Sequence, residues 1–201
     1  MPAKIVIEKP KQLLVEGAVP KAFFEALLAH LHLQDIQLQN YGGINELKGF
    51  LKALSITPGF NDENLTVTKL AIIRDAETDF NAAMASVNSA LQHAHLTEPN
   101  TSNSTLRISV YILPDHQNAG MLETLCLASV NSKPELKCVA EYINCLTTLG
   151  IMLPNPTKSQ TAAYLATTPR PDFGVGHAAR ANYWDWNHPT FEALKSFLRS
   201  L

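Results

Sequence analysis

The sequence has few cysteines and no long hydrophobic run. Its three cysteines are an odd number without a C-x-x-C spacing, so they form no disulfide framework, and we expect reduced, mostly buried thiols at Cys126, Cys138 and Cys145. No window approaches the ~18 consecutive apolar residues that a membrane span needs. Residues 1–9 are charged and lack the apolar centre of a signal peptide. The expected compartment is the cytoplasm, without membrane contact.

An excess of charge of one sign is also missing. The chain has 16 Lys and Arg against 18 Asp and Glu, a formal net charge of −2. Proteins that hold long nucleic acid by themselves usually show a clear basic excess, so the composition disfavours a stand-alone, high-affinity binder. The sequence has no P-loop, no G-x-G-x-x-G fingerprint and no serine nucleophile elbow. Their absence argues against a P-loop NTPase, a dinucleotide-binding protein and an α/β-hydrolase, respectively.

Strand and helix patterns alternate through the first half of the chain. Short apolar runs typical of buried parallel strands occur at 13–15 and 70–73. Alternation predicts two further strands, and helical spacing of apolar residues predicts three helices. The further strands lie at 36–38 and 106–113, and the helices at 20–31, 44–54 and 78–95. This order predicts an α/β fold with a mostly parallel, four-stranded, Rossmann-like sheet and helices on both faces.

The second half of the chain has the pattern of a helical extension. Helices are predicted at 136–149, 159–167 and 190–201, with prolines between them. We expect an α/β core over 1–128 and an extension over 129–201 that packs on it in a single structural domain. Trp184 and Trp186 are expected to pack the last helix onto the body. The polar segment 99–104 predicts a loop.

Acidic residues follow two of the predicted strands. Glu16 and Gly17 follow the first strand, Gly42 and Gly43 follow the second, and the run 75–79, with three acids, follows the third. Ligands of open α/β sheets bind beyond these strand ends. Clustered carboxylates suit Mg²⁺ or Mn²⁺. The alternative interpretation is that such acids cap helix N-termini, and spacing alone leaves both open.

The segments around these acids resemble the motifs of TOPRIM domains. Leu14-Val15-Glu16-Gly17 resembles their first motif, Gly42-Gly43 their glycine turn, and Arg74-Asp75-Ala76-Glu77 their acidic motif. The chain is similar to a bacterial family of small, stand-alone TOPRIM-like proteins. That similarity extends through Gly120-Met121-Leu122-Glu123 and the segment 188–198, so it spans nearly the whole chain.

The resemblance implies a metal-dependent site. TOPRIM domains of topoisomerases, primases and overcoming-lysogenization-defect nucleases bind Mg²⁺ through the acidic motif. By this resemblance Glu16 is the catalytic acid or base, and the metal ligands are Asp75, Glu77, Asp79 and Glu123. The glycines Gly17, Gly42 and Gly43 form a phosphate-binding or substrate-binding loop. His116, next to the end of the fourth predicted strand, is a second candidate for acid/base chemistry.

Two hypotheses follow for the function. The first is an enzyme, a Mg²⁺- or Mn²⁺-dependent nuclease acting on nucleic acid, with an ATPase partner protein as in related nucleases. The second is a degenerate TOPRIM fold that serves as a binding or regulatory module. Two departures from the family pattern favour the module. Pro20 stands where relatives often have Asp, and Glu77 stands where they usually have Asp. Glu16, Asp75 and the glycine turn favour the enzyme. The oligomeric state is not determined by these patterns.

Overall fold

A sheet of four parallel strands forms the centre of the protein, whose computed structural model describes residues 5–61, 66–96 and 106–201. The strand order across the sheet is β2-β1-β3-β4. The strands are β1 (Lys11–Val15), β2 (Ile36–Asn40), β3 (Lys69–Asp75) and β4 (Arg107–Leu113). The predicted α/β fold with a parallel, four-stranded sheet is confirmed. The loop predicted at 99–104 lies outside the described residues.

Eight α-helices accompany the sheet within the described parts of the chain. They are α1 (Ala18–His30), α2 (Leu47–Ser55), α3 (Phe80–His93), α4 (Leu122–Ser129), α5 (Pro134–Thr148), α6 (Pro156–Leu165), α7 (Val175–Arg180) and α8 (Glu192–Arg199). A 3-10 turn at Pro189–Phe191 precedes α8. The three helices predicted in the first half and the three predicted in the second half are all present, with shifted ends.

The two central strands are buried on both faces. Successive side chains of a strand point to opposite faces, so Leu13 and Ile73 enter one core, whereas Leu14 and Ile72 enter the other. Helices α2 and α3 supply the second core, and α1 and the C-terminal helices supply the first. This double burial explains why β1 and β3 read as continuous apolar runs instead of alternating ones.

The C-terminal helices share the first core with α1. Trp184 is fully buried, and its indole N–H donates to the Val175 carbonyl at 3.1 Å. The Trp186 ring lies 5.3 Å from the Phe23 ring of α1. The Trp186 ring also lies 5.2 Å from the ring of Phe191, the N-cap residue of α8, so Trp186 links the start of the last helix to α1 as predicted, whereas the hydrogen bond of Trp184 goes to α7.

The prediction of mostly buried cysteines is wrong for two of the three. All three thiols are free, and Cys126 on α4 is buried, but Cys138 and Cys145 on α5 are exposed. The physical reason is that only one side of α5 packs against the rest of the protein. In the described ranges, none of the helices combines the length and the apolar character that crossing a membrane requires.

Close packing of α7 on α1 yields a stability prediction. A Cβ atom at Gly176 would lie 2.6 Å from Ala22 Cβ and 2.9 Å from the Val19 carbonyl oxygen. We expect Gly176→Ala to lower the free energy of unfolding by about 1–3 kcal/mol, because the two helices must separate. Urea denaturation measures the change.

Gly174→Ala is the matched control, since no atom lies within 4 Å of a Cβ atom built there. We expect this variant to change the free energy of unfolding by less than about 1 kcal/mol. Equal losses in the two variants would show that close helix contact is not the cause.

Candidate acidic site at the carboxyl edge of the sheet

The ends of three neighbouring strands bring together Glu16, Tyr41 and Arg74. Glu16 directly follows β1, Tyr41 directly follows β2, and Arg74 is the penultimate residue of β3. The Tyr41 hydroxyl donates to Glu16 Oε2 at 3.4 Å, and Arg74 Nε lies 4.0 Å from the same oxygen. The parallel arrangement therefore holds the Glu16 carboxylate between a phenol and a guanidinium.

Burial dominates the electrostatics of Glu16. Partial burial raises the pKa of its carboxyl above the ordinary value, and the negative charge of Glu77 adds to the rise. The Arg74 charge and the Tyr41 hydrogen bond oppose it but do not cancel it. Glu16 is thus a carboxyl group that takes up and releases a proton closer to neutral pH than a surface glutamate does.

Asp75, the last residue of β3, shows the same effect more strongly. Burial raises its pKa to about 7, and the charges of Glu123 and Glu16 contribute to the rise. The N–H of Leu122, at the start of α4, donates to Asp75 Oδ1 at 2.8 Å and partly offsets it. Because Glu123 and Glu16 act on Asp75, the three carboxyl groups form one electrostatic cluster.

Glu77 is held beside this cluster by a short backbone bridge. Its N–H donates to the Gly120 carbonyl at 2.7 Å, and the Gly120 N–H donates back to the Glu77 carbonyl at 2.8 Å. The backbone of Glu77 has a φ of 54°, which is unfavourable for a residue with a Cβ atom. The bridge ties the loop after β3 to the segment before α4, which brings Glu123 to the site.

A lysine from the helical extension also reaches the cluster. Lys158 lies in the first turn of α6, where its backbone N–H donates to the side chain of the N-cap Asn155 at 2.9 Å. Its positive charge lowers the pKa of both Glu16 and Asp75. Sequence reasoning missed Lys158, because the sequence places it just before a helix predicted at 159–167 and does not show that this helix lies near the ends of β1 and β3.

Two residues predicted for the site have other contacts. Asp79 is the N-cap of α3, where its carboxylate accepts the Ala82 N–H at 3.0 Å, as the capping interpretation proposed. His116 Nδ1 accepts the Ile112 N–H at 3.1 Å, and its ring stacks on Tyr111 at 5.3 Å. We therefore assign Asp79 to helix capping and His116 to holding the turn after β4.

The predicted phosphate-binding glycines have occupied N–H groups. The N–H groups of Gly17 and Gly42 both donate to Asn40 Oδ1, at 2.7 and 2.8 Å. The Gly43 N–H donates to Glu46 Oε2 at 2.7 Å. A phosphate would have to displace these side chains, so the glycines shape the loops and do not present a ready anion site.

A groove of about 920 Å³ opens beside the cluster along β2, which is an edge strand. Tyr41 belongs to both places, because its hydroxyl contacts Glu16 and the residue also lines the groove. Phe50 adds a second aromatic ring to the wall, and Gly49 leaves space at the α2 side. Tyr41 therefore connects the groove with Glu16, whose carboxyl group does not itself line the groove.

The carboxylate oxygens of the acidic cluster suit a cation that is bound by few protein ligands. Over residues 5–61, 66–96 and 106–201, no three His, Cys, Asp or Glu side chains are placed to enclose a metal ion. Mg²⁺ needs no such enclosure, since it usually binds through one or two carboxylates and keeps water and phosphate oxygens as its other ligands. Asp75 and Glu123, whose negative charges act on each other, are the two carboxylates of the cluster that would fit such a cation.

The fold and the site define the chain as a parallel α/β protein with an acidic cluster at the carboxyl edge of its sheet. Among protein families, the chain belongs to the one described as "Protein of unknown function (DUF3226)", whose profile matches residues 10–201. Comparison with the sequences of curated proteins found no match.

Among solved structures, the chain is similar to the C-terminal region of the Burkholderia pseudomallei OLD protein. The superposition covers 96% of this chain and 98% of that chain, with 16% sequence identity and a TM-score of 0.49.

The raised pKa of Asp75 predicts a pH-dependent stability. The folded-state pKa of about 7 lies above the ordinary value of 3.8, so the folded protein holds the proton more tightly than the unfolded chain. The free energy of unfolding should then fall as pH rises from about 4 to about 7. Asp75→Asn cannot ionise and keeps an acceptor for the Leu122 N–H. We expect it to exceed the wild type by about 2–4 kcal/mol at pH 8 and to match it near pH 4.

Urea denaturation between pH 4 and pH 8, in buffer free of divalent cations, measures this difference. Asp79→Asn is the control, because asparagine also caps helices well, and its difference from the wild type should stay near zero at every pH. A pH-independent effect of Asp75→Asn would contradict the electrostatic explanation.

Proposed function

We propose that this protein is a divalent-cation-dependent nuclease that cleaves phosphodiester bonds of nucleic acid at the acidic cluster. The observation that carries the proposal is the convergence of Asp75, Glu123 and Glu16 at the carboxyl edge of the sheet, beside the positive charge of Lys158. Carboxylates gathered where water is partly excluded are stable together only when protonated or when a cation joins them.

Asp75 and Glu123 would hold the cation, with Glu77 at the rim of the site. A bound Mg²⁺ or Mn²⁺ supplies electrostatic stabilisation to a phosphate group. The main chain prepares Asp75 for this role, since the Leu122 N–H fixes Oδ1 at 2.8 Å. Glu77 keeps its position through the two hydrogen bonds with Gly120.

Glu16 is the general acid or base of this proposal. Its raised pKa brings proton transfer nearer to neutral pH, where a general catalyst is most effective. Tyr41 and Arg74 orient its carboxylate from two sides. Arg74 is itself held, because its side chain is 8% exposed and its guanidinium donates to Ser86 Oγ at 2.6 Å.

Lys158 would bind the phosphate charge of the substrate. It is exposed, and none of the described carboxylates lies within ion-pair distance of its Nζ atom. The net charge of −2 offers no broad electrostatic attraction for nucleic acid, so local cations matter more here than in a basic protein. An ATPase partner protein, which the family resemblance implies, would supply further substrate contacts.

A binding or regulatory module is the second candidate. Two observations favour it: the N–H groups of Gly17, Gly42 and Gly43 are occupied, and no three-ligand metal group exists within the described residues. Such a module would keep the fold and the acids without cleaving nucleic acid.

Cleavage assays separate the two candidates. We expect Mg²⁺ or Mn²⁺ to support nicking of plasmid or single-stranded DNA, and Asp75→Asn to reduce the rate by about 10²-fold or more. Lys158→Ala should reduce it by about 10-fold or more, because it removes a cation and leaves the acids in place. Asp79→Asn is the matched acid control and should retain the wild-type rate.

Metal binding gives a readout that does not depend on cleavage. Millimolar Mg²⁺ or Mn²⁺ should raise the melting temperature of the wild type and of Asp79→Asn, but not that of Asp75→Asn. Cleavage that persists in Asp75→Asn would rule out the proposed site, and metal binding without any cleavage would select the module.

The groove beside Tyr41 yields a prediction about the substrate. Unpaired bases stack on aromatic side chains, and the partly exposed Phe50 lines the groove, whereas Tyr41 is only 3% exposed and offers no free ring face. A Cβ atom at Gly49 meets no other atom within 4 Å, and Gly49 lines the groove, so a larger side chain can be introduced there to narrow it. We expect Gly49→Leu to weaken binding of single-stranded oligonucleotides about 10-fold in fluorescence anisotropy.

Gly49→Ala is the control for Gly49→Leu. It should stabilise α2 by about 0.5–1 kcal/mol and leave the groove open, with unchanged oligonucleotide affinity. Equal affinities in both variants would show that the groove does not receive the substrate.

A further inference from the structure

Helix α5 carries two apolar stripes, and only one of them is covered. The inner stripe packs inward, with Val139 buried and Leu136 and Ile143 partly buried against the first core. The outer stripe consists of Cys138, Tyr142, Cys145 and Leu149, at intervals of four, three and four residues. That spacing places all four side chains on one side of the helix, as in the seam of a coiled coil.

The outer stripe is open to solvent. Tyr142 is 55% exposed and Leu149 is 70% exposed, and both cysteines are exposed. Beyond the end of the helix, Ile151 and Met152 extend the apolar surface, with Met152 89% exposed. Single exposed apolar residues are common on protein surfaces, but a continuous row of this kind marks an interaction surface.

Charge is nearly absent from this surface. The charged residues of α5 are Glu135, Lys137 and Glu141, all in its first half, and 142–157 contain none. An acidic or basic partner therefore finds nothing to attract it here, so the partner must present an apolar surface of its own. The outer stripe itself is such a surface.

We propose that the outer stripe of α5 pairs with the same stripe of a second copy of this chain, with the two helices antiparallel. When Tyr142 lies opposite the partner's Cys145, Leu149 lies opposite the partner's Cys138. Each layer then combines a large side chain with a small one, which fills the space between the helices evenly. A parallel pair would place tyrosine against tyrosine and cysteine against cysteine.

The antiparallel register also avoids repulsion. Glu141 would lie beside the partner's Thr148, so the acidic groups of the two copies do not face each other. Like charges that face each other across the seam would disfavour pairing.

The size of the surface sets the expected strength of the dimer. A large apolar side chain has an accessible surface of up to about 200 Å². The exposed surface of the outer stripe and of residues 151–152 therefore amounts to roughly 500 Å² per copy. Two copies would bury about 1,000 Å², the lower end of specific interfaces. We therefore expect a reversible dimer with a dissociation constant in the micromolar range, measurable by sedimentation equilibrium.

The native cysteines provide a test of the register. At 1.5 Å per residue, the two Cys145 residues of an antiparallel pair lie about 4–5 Å apart along the helix axes, and the two Cys138 residues about 16 Å apart. A thiol-specific cross-linker with a short span should join dimers of Cys138→Ser through Cys145. It should join few or none of Cys145→Ser. The buried Cys126 remains unchanged in both variants.

A charge-matched pair of variants tests the surface itself. Tyr142→Glu should shift the sedimentation equilibrium toward monomer by at least about 10-fold, since it places a charge in the contact. Asn144→Glu adds the same charge on the opposite side of α5 and should leave the equilibrium unchanged. Circular dichroism confirms that both variants are folded.

Three results would overturn the proposal: equal cross-linking of the two serine variants, equal effects of the two glutamates, or a wild type that stays monomeric at hundreds of micromolar. In the last case another protein, or solvent alone, covers the stripe. All three measurements are made without metal or nucleic acid, so they are independent of whether the acidic cluster cleaves anything.

Discussion

The register of the parallel ladder is the constraint on which the acidic cluster depends. Val15 is paired with Asn40 on one side and with Ile73 on the other, so β1 and β2 end at the same level and β3 continues for two more residues, to Asp75. At this carboxyl edge the ladder gains two further hydrogen bonds, in which the Tyr41 N–H donates to the Val15 carbonyl and the Ala76 N–H donates to the Leu113 carbonyl. A shift of one residue would turn Glu16 or Arg74 to the opposite face of the sheet and separate them.

The cluster is a balance of like charges that the fold holds together. Burial raises the pKa of Asp75 and Glu16, and the acids add to this effect on one another. Arg74, from within the sheet, lowers the pKa of Glu16, and Lys158, from the extension, lowers the pKa of both acids, but both pKa values stay raised. Holding like charges together lowers the folding stability of a protein. Such arrangements are typical of sites that bind a cation or transfer protons. The backbone of Glu77, with φ of 54°, adds local strain at the same place.

The helical extension has two roles beyond burying apolar surface. The helix α6 brings Lys158 to the acidic cluster, and α5, which packs on α6, presents the uncovered stripe. The contact that we propose between two copies therefore lies on the helix next to the one that bears Lys158. The extension thus connects the site with the surface through which the protein would assemble.

The amino-acid sequence by itself determined the four strands, six of the eight described helices and the placing of acids after strands; α4 and α7 were not predicted. Local hydrophobic patterns sufficed for this. The strands β1 and β3 are buried on both faces, so they show continuous apolar runs, and the end of a strand is marked by residues that are adjacent in the sequence. The sequence also contained the capping alternative for Asp79, which is a contact between residues three apart. Only the tertiary structure decided the rest. It showed that Asn40 and Glu46 occupy the glycine N–H groups, that Lys158 reaches acids more than 80 residues away in the chain, and that two cysteines face solvent. These outcomes depend on which surfaces meet, and the packing of distant segments leaves no local pattern in the sequence.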